Sequence, residues 1–113
     1  MPSVQDAQTQ YRLYNEAYFD ALLPPAIEIR FIRGLKDDKG KDLHGQTSKP
    51  EDVYLIELNA GMAADLYRLT LCHEMVHLKL HNMGLRCWRS HKSKAWNAEV
   101  SRLSSLGFLR EIF

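Results

Sequence analysis

The chain is 113 residues long, with 45% apolar residues, 26% charged residues and a net charge of +1. This length suits a single domain, residues 1–113, and the apolar content can bury a core and is too high for a disordered chain. The sequence has two cysteines, no CxxC pair and no apolar run of about 20 residues, which excludes a four-cysteine zinc ribbon and a membrane-spanning helix within this chain.

The first half of the chain alternates between helical and strand patterns. Apolar residues three and four positions apart predict a helix over residues 4–22, which the following Leu-Pro-Pro would end. Alternating apolar and polar residues predict a strand over residues 26–33, and a weaker pattern predicts a short strand over residues 43–48. The β-branched and apolar segment Val53–Leu58 predicts a central strand.

Two helices are predicted in the second half. The longer covers residues 62–82, with Gly84 as a stop signal just past its end. Residues 85–90 form a connection, a last helix covers residues 92–105, and an apolar tail begins at Phe108. Together these elements predict an α+β fold: an N-terminal helix, a small three-stranded sheet, a long helix and a C-terminal helix.

The long helix contains the HExxH motif His73–His77, which reads His-Glu-Met-Val-His. Residues i and i+4 lie on one helix face about 6 Å apart, so His73 and His77 can both reach one zinc ion at about 2.0–2.1 Å. Glu74 would lie near the metal without being a ligand, and could act as the general base of a metallopeptidase. Such polar groups in a mainly apolar helix would be costly if unpaired, which favours a metal site over two surface histidines.

A catalytic zinc ion usually takes three protein ligands, so a third ligand is expected outside the motif. His91 is the first choice, because it lies fourteen residues after His77 and a polypeptide that turns back past the helix end could bring it over the motif. Glu99 in the last helix is the rival. Its other role would be that of a solvent-facing partner of Arg102.

The two remaining histidines are not expected to bind the metal. His81 lies about 12 Å from His73 along the helix axis, and is interpreted as an exposed residue that suits the helix dipole. His44 is interpreted as a loop residue. Imidazole also accepts manganese and cobalt, so the pattern predicts zinc without excluding these metals.

With these residues in place, the chain resembles the catalytic domain of the SprT-like metallopeptidase family over nearly its whole length. The similar segments are Tyr14–Asp20 with Leu23–Pro25 and Ile27–Ile29, Gly45–Thr47, Ile56–Asn59, His73–His77, and Ser90-His91 followed by Trp96. The resemblance implies a small zincin-like domain and a zinc endopeptidase with Glu74 as general base and with three ligands, His73, His77 and His91. The chain has Lys92 where the family usually has glycine, its Trp96 comes one position later than the family's aromatic residue, and it lacks the C-terminal zinc ribbon of many members.

Basic residues gather in the last third of the chain. Residues 1–78 carry eight Lys and Arg against twelve Asp and Glu, a net of −4, and residues 79–113 carry seven against two, a net of +5. The SprT-like family includes proteases that cut proteins crosslinked to DNA, so the resemblance implies DNA-associated or DNA-crosslinked substrates. Phosphate contacts would then come from Arg86, Arg89, Lys92 and Lys94. A solvated basic face is the other interpretation.

Two other functions are compatible with the sequence. One is a catalytically weak or inactive zinc-binding module that docks protein or DNA, although a structural site would not need Glu74. The other is a different zincin, completed by Glu99, that cleaves a regulatory protein. In each case we expect a monomer in the cytoplasm, or associated with the nucleoid or nucleus, with reduced thiols. This expectation rests on Met1–Gln5, which lack the basic start and apolar run of a secretion signal.

Overall fold

The computed structural model describes residues 2–85 and 91–107, and within them three helices pack with a three-stranded sheet. The elements are α1 (Val4–Tyr18), β1 (Glu28–Ile32), β2 (Gly45–Ser48), β3 (Leu55–Asn59), α2 (Ala64–Asn82) and α3 (Lys94–Ser105). The α+β class and the order of the elements are therefore confirmed. Most of the predicted connection before His91, and the apolar tail from Phe108, lie outside the described residues. No helix in the described ranges is both long and apolar enough to cross a membrane.

β3 is the central strand of the sheet, as its apolar sequence predicts. It pairs in parallel with β1, with Ile29 opposite Ile56, and antiparallel with β2, with Thr47 opposite the same Ile56. β2 is therefore an edge strand, and it packs against α2. Among the described strands, β2 thus forms the edge of the sheet that lies beside the helix with the HExxH motif.

Helix α1 ends at Tyr18, earlier than the predicted residue 22. Asp20 and Ala21 have φ angles of 54° and 56°, in the left-handed region that no helix can continue through. The buried side chain of Asn15 accepts a hydrogen bond from the backbone N–H of Leu23 and donates one to the carbonyl oxygen of the same residue, both at 3.1 Å. A tight turn closed by this side chain thus replaces the last predicted turn of helix.

Helix α2 forms the centre of the core. Its fully buried side chains are Leu71, Cys72, Met75, Val76 and Leu78. The helix begins at Ala64, two residues later than predicted, and ends as predicted at Asn82. Gly84, just past its end, has a φ of +87°. The N–H of Leu85 donates to the carbonyl oxygen of Leu80 at 3.0 Å, which closes the final turn. The stop is abrupt, so the polypeptide leaves the helix one turn after the HExxH motif.

Helix α3 begins at Lys94, two residues later than predicted. Ser93 is its N-cap, and its hydroxyl accepts a hydrogen bond from the N–H of Trp96 at 3.1 Å. Trp96, Val100 and Leu103 are buried in the same core as α2. This packing brings the start of α3, and His91 just before it, towards the motif.

Candidate metal centre

The three predicted histidine ligands meet at one point of the structure. One ring nitrogen each of His73, His77 and His91 lies within 4.8 Å of the others. The Nε2 atoms of His77 and His91 are 3.0 Å apart. Two ligand atoms at tetrahedral corners around zinc lie about 3.4 Å apart, so small ring rotations bring all three nitrogens to one ion. These three residues can hold a metal ion; we call them the histidine cluster.

The helix and its break together build this cluster. His73 and His77 lie one turn apart on α2, with ring centroids separated by 5.1 Å. His91 comes from beyond the helix end, and its ring packs at an angle against both others, at centroid distances of 4.9 Å and 5.0 Å. His91 remains exposed on one side, but partial desolvation of its ring lowers its pKa, which favours the neutral imidazole that binds metals.

Trp96 packs against all three members of the histidine cluster. Its ring centroid lies 5.0 Å from that of His73, 4.5 Å from that of His77 and 4.7 Å from that of His91. The indole is only 2% exposed. Because the indole ring is rigid, buried and in contact with all three imidazole rings, it restricts the rotation of those rings. Trp96 therefore helps to orient the histidine cluster.

Glu74 lies beside the histidine cluster without belonging to it. Its side chain is almost fully buried, and Oε2 lies 3.9 Å from Nε2 of His73. The hydroxyl of Thr47 donates to the other oxygen, Oε1, at 2.7 Å. Burial raises the pKa of Glu74 to about 7, although the hydrogen bond from Thr47 acts in the opposite direction. A carboxyl group with such a pKa can accept and release a proton near neutral pH.

The cluster and Glu74 open into a cleft of about 430 Å³. Strand β2 lines one side of it, together with residues of the preceding loop, Asp37, Asp38, Lys41 and Leu43. The backbone of Asp37 and that of Lys41 are joined by a hydrogen bond of 2.9 Å, which closes this loop. The cleft therefore offers a substrate an extended strand edge on one side and the histidine nitrogens at its base.

Glu99, the predicted rival ligand, is not part of the cluster. Its carboxylate accepts hydrogen bonds from Nε and Nη2 of Arg102, at 2.6 Å and 3.0 Å, and lies 2.7 Å from Nζ of Lys79. Burial alone would raise the pKa of Glu99, but these two cations outweigh it and lower the pKa. Arg102 is the partner that the sequence indicates, but the prediction that Glu99 faces solvent is wrong, because Glu99 is buried.

The remaining histidines lie apart from the cluster, as predicted. His44 is exposed before β2, and its backbone carbonyl oxygen accepts a hydrogen bond from the N–H of Asn59. The prediction that His81 is exposed is wrong. The residue is half-buried, since its ring packs against Tyr54, with 2.7 Å between Nδ1 and the tyrosine hydroxyl.

Cys72 is buried in the core. Burial raises the pKa of its thiol, so Cys72 offers no thiolate as a metal ligand.

The predicted basic residues are only partly described. Lys92 and Lys94 are exposed immediately after His91. Arg86 and Arg89 lie outside the described residues.

Thr47 contacts Glu74, and the sequence indicated no such role for it beyond its place in a segment similar to the family. The two residues are 27 positions apart, so no local sequence pattern shows this contact.

Comparison with known proteins found no family model, no curated protein and no solved structure that matches this sequence. The SprT-like resemblance therefore stays a prediction, and the chemistry of the site depends on its own geometry.

Proposed function

We propose that this domain is a zinc-dependent metallopeptidase that hydrolyses peptide bonds of proteins bound in the cleft. The observation that supports the proposal is a buried carboxyl group beside three converging imidazoles, at the base of an open cleft. A metal site that only stabilised the fold would gain nothing from Glu74, whose burial is costly.

The donor set suits a catalytic zinc ion. Structural zinc sites are usually closed by four protein ligands, whereas catalytic sites use three and keep one position open. Within residues 2–85 and 91–107, the group that could hold a metal ion contains three histidines and no fourth side chain. Zinc, when bound, supplies a Lewis acid for the scissile carbonyl and lowers the pKa of water to about 7.

The protein's own residues would divide the remaining work. Glu74 takes the proton of the attacking water at Oε2 and delivers it to the nitrogen of the leaving amine. The outer edge of β2 would offer backbone groups to a substrate in extended conformation, which would lie across the cleft beside the histidine cluster. The scissile bond would then lie within reach of both Glu74 and the cluster.

The proposal is tested with Glu74→Gln, which preserves the size of the side chain and removes the base. Zinc-loaded wild type should cleave an unstructured protein such as casein, and Glu74→Gln should bind as much zinc but cleave at least about 100-fold more slowly. Glu16→Gln, at an exposed position of α1, is the matched control and should be fully active. Cleavage by Glu74→Gln at the wild-type rate would contradict the role of Glu74. A zinc-loaded wild type without activity would favour the binding module instead.

A further inference from the structure

Thr47 is the buried residue of β2, and its side chain points at the helix that carries Glu74. Its Oγ1 lies 2.7 Å from Oε1 of Glu74 and 3.1 Å from the backbone oxygen of the same residue. One hydroxyl therefore contacts both the side chain and the backbone of Glu74. This ties the carboxyl group to a fixed point of the sheet.

Gly45 makes this close contact possible. A Cβ atom at this position would lie 2.9 Å from Cγ2 of Thr70 and 3.2 Å from Cγ of Glu74, closer than packed side chains normally approach. The backbone oxygen of Glu57 is also only 3.2 Å away. Because Gly45 has no side chain, β2 can approach α2 until the hydroxyl of Thr47 reaches Glu74.

The hydrogen bond distinguishes the two carboxyl oxygens. It engages Oε1, whereas Oε2 is turned towards the histidine cluster, 3.9 Å from Nε2 of His73. The last torsion angle of a glutamate is broad and poorly defined without such a contact. When Glu74 takes up a proton at Oε2, Oε1 remains a hydrogen-bond acceptor, so the hydroxyl of Thr47 can hold Glu74 before and after protonation.

We propose that Thr47 is a positioning residue, which orients the carboxyl group of Glu74 so that Oε2 faces the histidine cluster. This inference rests on the proposed function, in which Glu74 is the base. The competing explanation is that Thr47 only satisfies a buried polar group and stabilises the packing of β2 against α2. The two explanations differ in what happens when the hydroxyl is lost and the shape is kept.

Thr47→Val removes the hydroxyl and preserves the shape, whereas Thr47→Ser preserves the hydroxyl. If Thr47 positions the base, zinc-loaded Thr47→Val should lose about ten- to a hundred-fold in kcat, with KM and zinc content unchanged. Thr47→Ser should restore kcat to within about threefold of wild type. Thr70→Val is the matched control, because Thr70 is also buried at this interface but its hydroxyl contacts the sulfur of Met62. It should leave kcat unchanged.

Crystal structures of the metal-free variants give a readout that does not depend on activity. The Glu74 carboxyl should turn away from its wild-type orientation in Thr47→Val and keep it in Thr47→Ser. Thr47→Ala, which cannot clash, replaces Thr47→Val if the latter does not fold. An unchanged kcat together with an unchanged Glu74 in Thr47→Val would overturn the inference while the peptidase proposal stands. An inactive zinc-loaded wild type would overturn both.

Discussion

Lys79 and Glu99 form an ion pair between helices α2 and α3, with 2.7 Å between Nζ and Oε2. Lys79 follows His77 by two positions, and Glu99 follows Trp96 by three, so the pair joins the two helices close to the histidine cluster. Arg102 binds both oxygens of the same carboxylate. Glu99 therefore joins α2 to α3 near the histidine cluster without belonging to it.

We expect Glu99→Gln to lower the free energy of unfolding by about 2 kcal/mol at pH 7, because it leaves two cations without their buried partner. The pKa of Glu99 in the folded protein lies below its ordinary value of 4.5. Its stabilisation is therefore present above that value and is lost as the pH falls through the folded pKa. Urea unfolding of both proteins between pH 7 and pH 3 should show the difference shrinking once the pH falls below 4.5 and continues through the lowered pKa of the folded protein. A difference that stays constant over this range would contradict the prediction.

Zinc content should separate the two candidate third ligands. Wild type should hold about one zinc ion per protein molecule, and His91→Ala should lose it or bind it at least about 100-fold more weakly. Glu99→Ala should keep its zinc when folded, because Glu99 is engaged by Lys79 and Arg102. His81→Ala is the control, since His81 contacts Tyr54 and lies outside the cluster. Zinc loss in Glu99→Ala with retention in His91→Ala would reverse the assignment.

Gly45→Ala should both destabilise the domain and impair the site. The added methyl group would force β2 away from α2 or displace Glu74, at a cost of about 1–3 kcal/mol. Thermal unfolding measures the first effect and kcat the second. Gly61→Ala is the control, because Gly61 has open space around it but a φ of +88° that strains an alanine, so this variant should lose stability and keep its kcat. An equal loss of kcat in the two variants would show that the close approach at Gly45 is unimportant.

DNA binding, if it accompanies the peptidase function, should depend on the exposed lysines next to His91. The double change Lys92→Glu and Lys94→Glu should weaken binding to a short DNA duplex and reduce its dependence on salt, because two phosphate contacts are lost. A double control with the same charge change, Arg12→Glu and Arg33→Glu, alters exposed residues elsewhere on the surface. Binding affinities for the DNA duplex, measured at several salt concentrations, test this prediction. If both double substitutions weaken binding equally, the lysines next to His91 have no special role and the binding is non-specific electrostatic attraction.

The features predictable from the sequence are those that depend on near neighbours along the polypeptide. The facing pair His73 and His77 follows from helical geometry alone, and the helix end follows from the conformational freedom of Gly84. The early end of α1 could not be predicted in this way. It depends on hydrogen bonds between Asn15 and Leu23 in a turn with two left-handed residues, where the Leu-Pro-Pro pattern indicated a later stop.

The features that the sequence could not supply are long-range contacts. The bond between Thr47 and Glu74 requires β2 to be an edge strand packed on α2, and the pattern of residues 43–48 contains no information on strand order. The burial of Glu99 likewise depends on Lys79, a residue of another helix. The spacing of residues within α3 indicates Arg102 as a partner of Glu99, but it cannot indicate the second cation, Lys79.

If the histidine cluster binds a metal ion, it also connects metal supply to the stability of the fold. A metal ion held by His73, His77 and His91 bridges the polypeptide on both sides of the break at Gly84, and the unfolded state offers no such arrangement. By mass action, an ion present at a hundred times its dissociation constant would add about 2.7 kcal/mol to the free energy of unfolding. That is a large share of the stability of a domain this small. The amount of folded protein in its surroundings would then follow the availability of the metal.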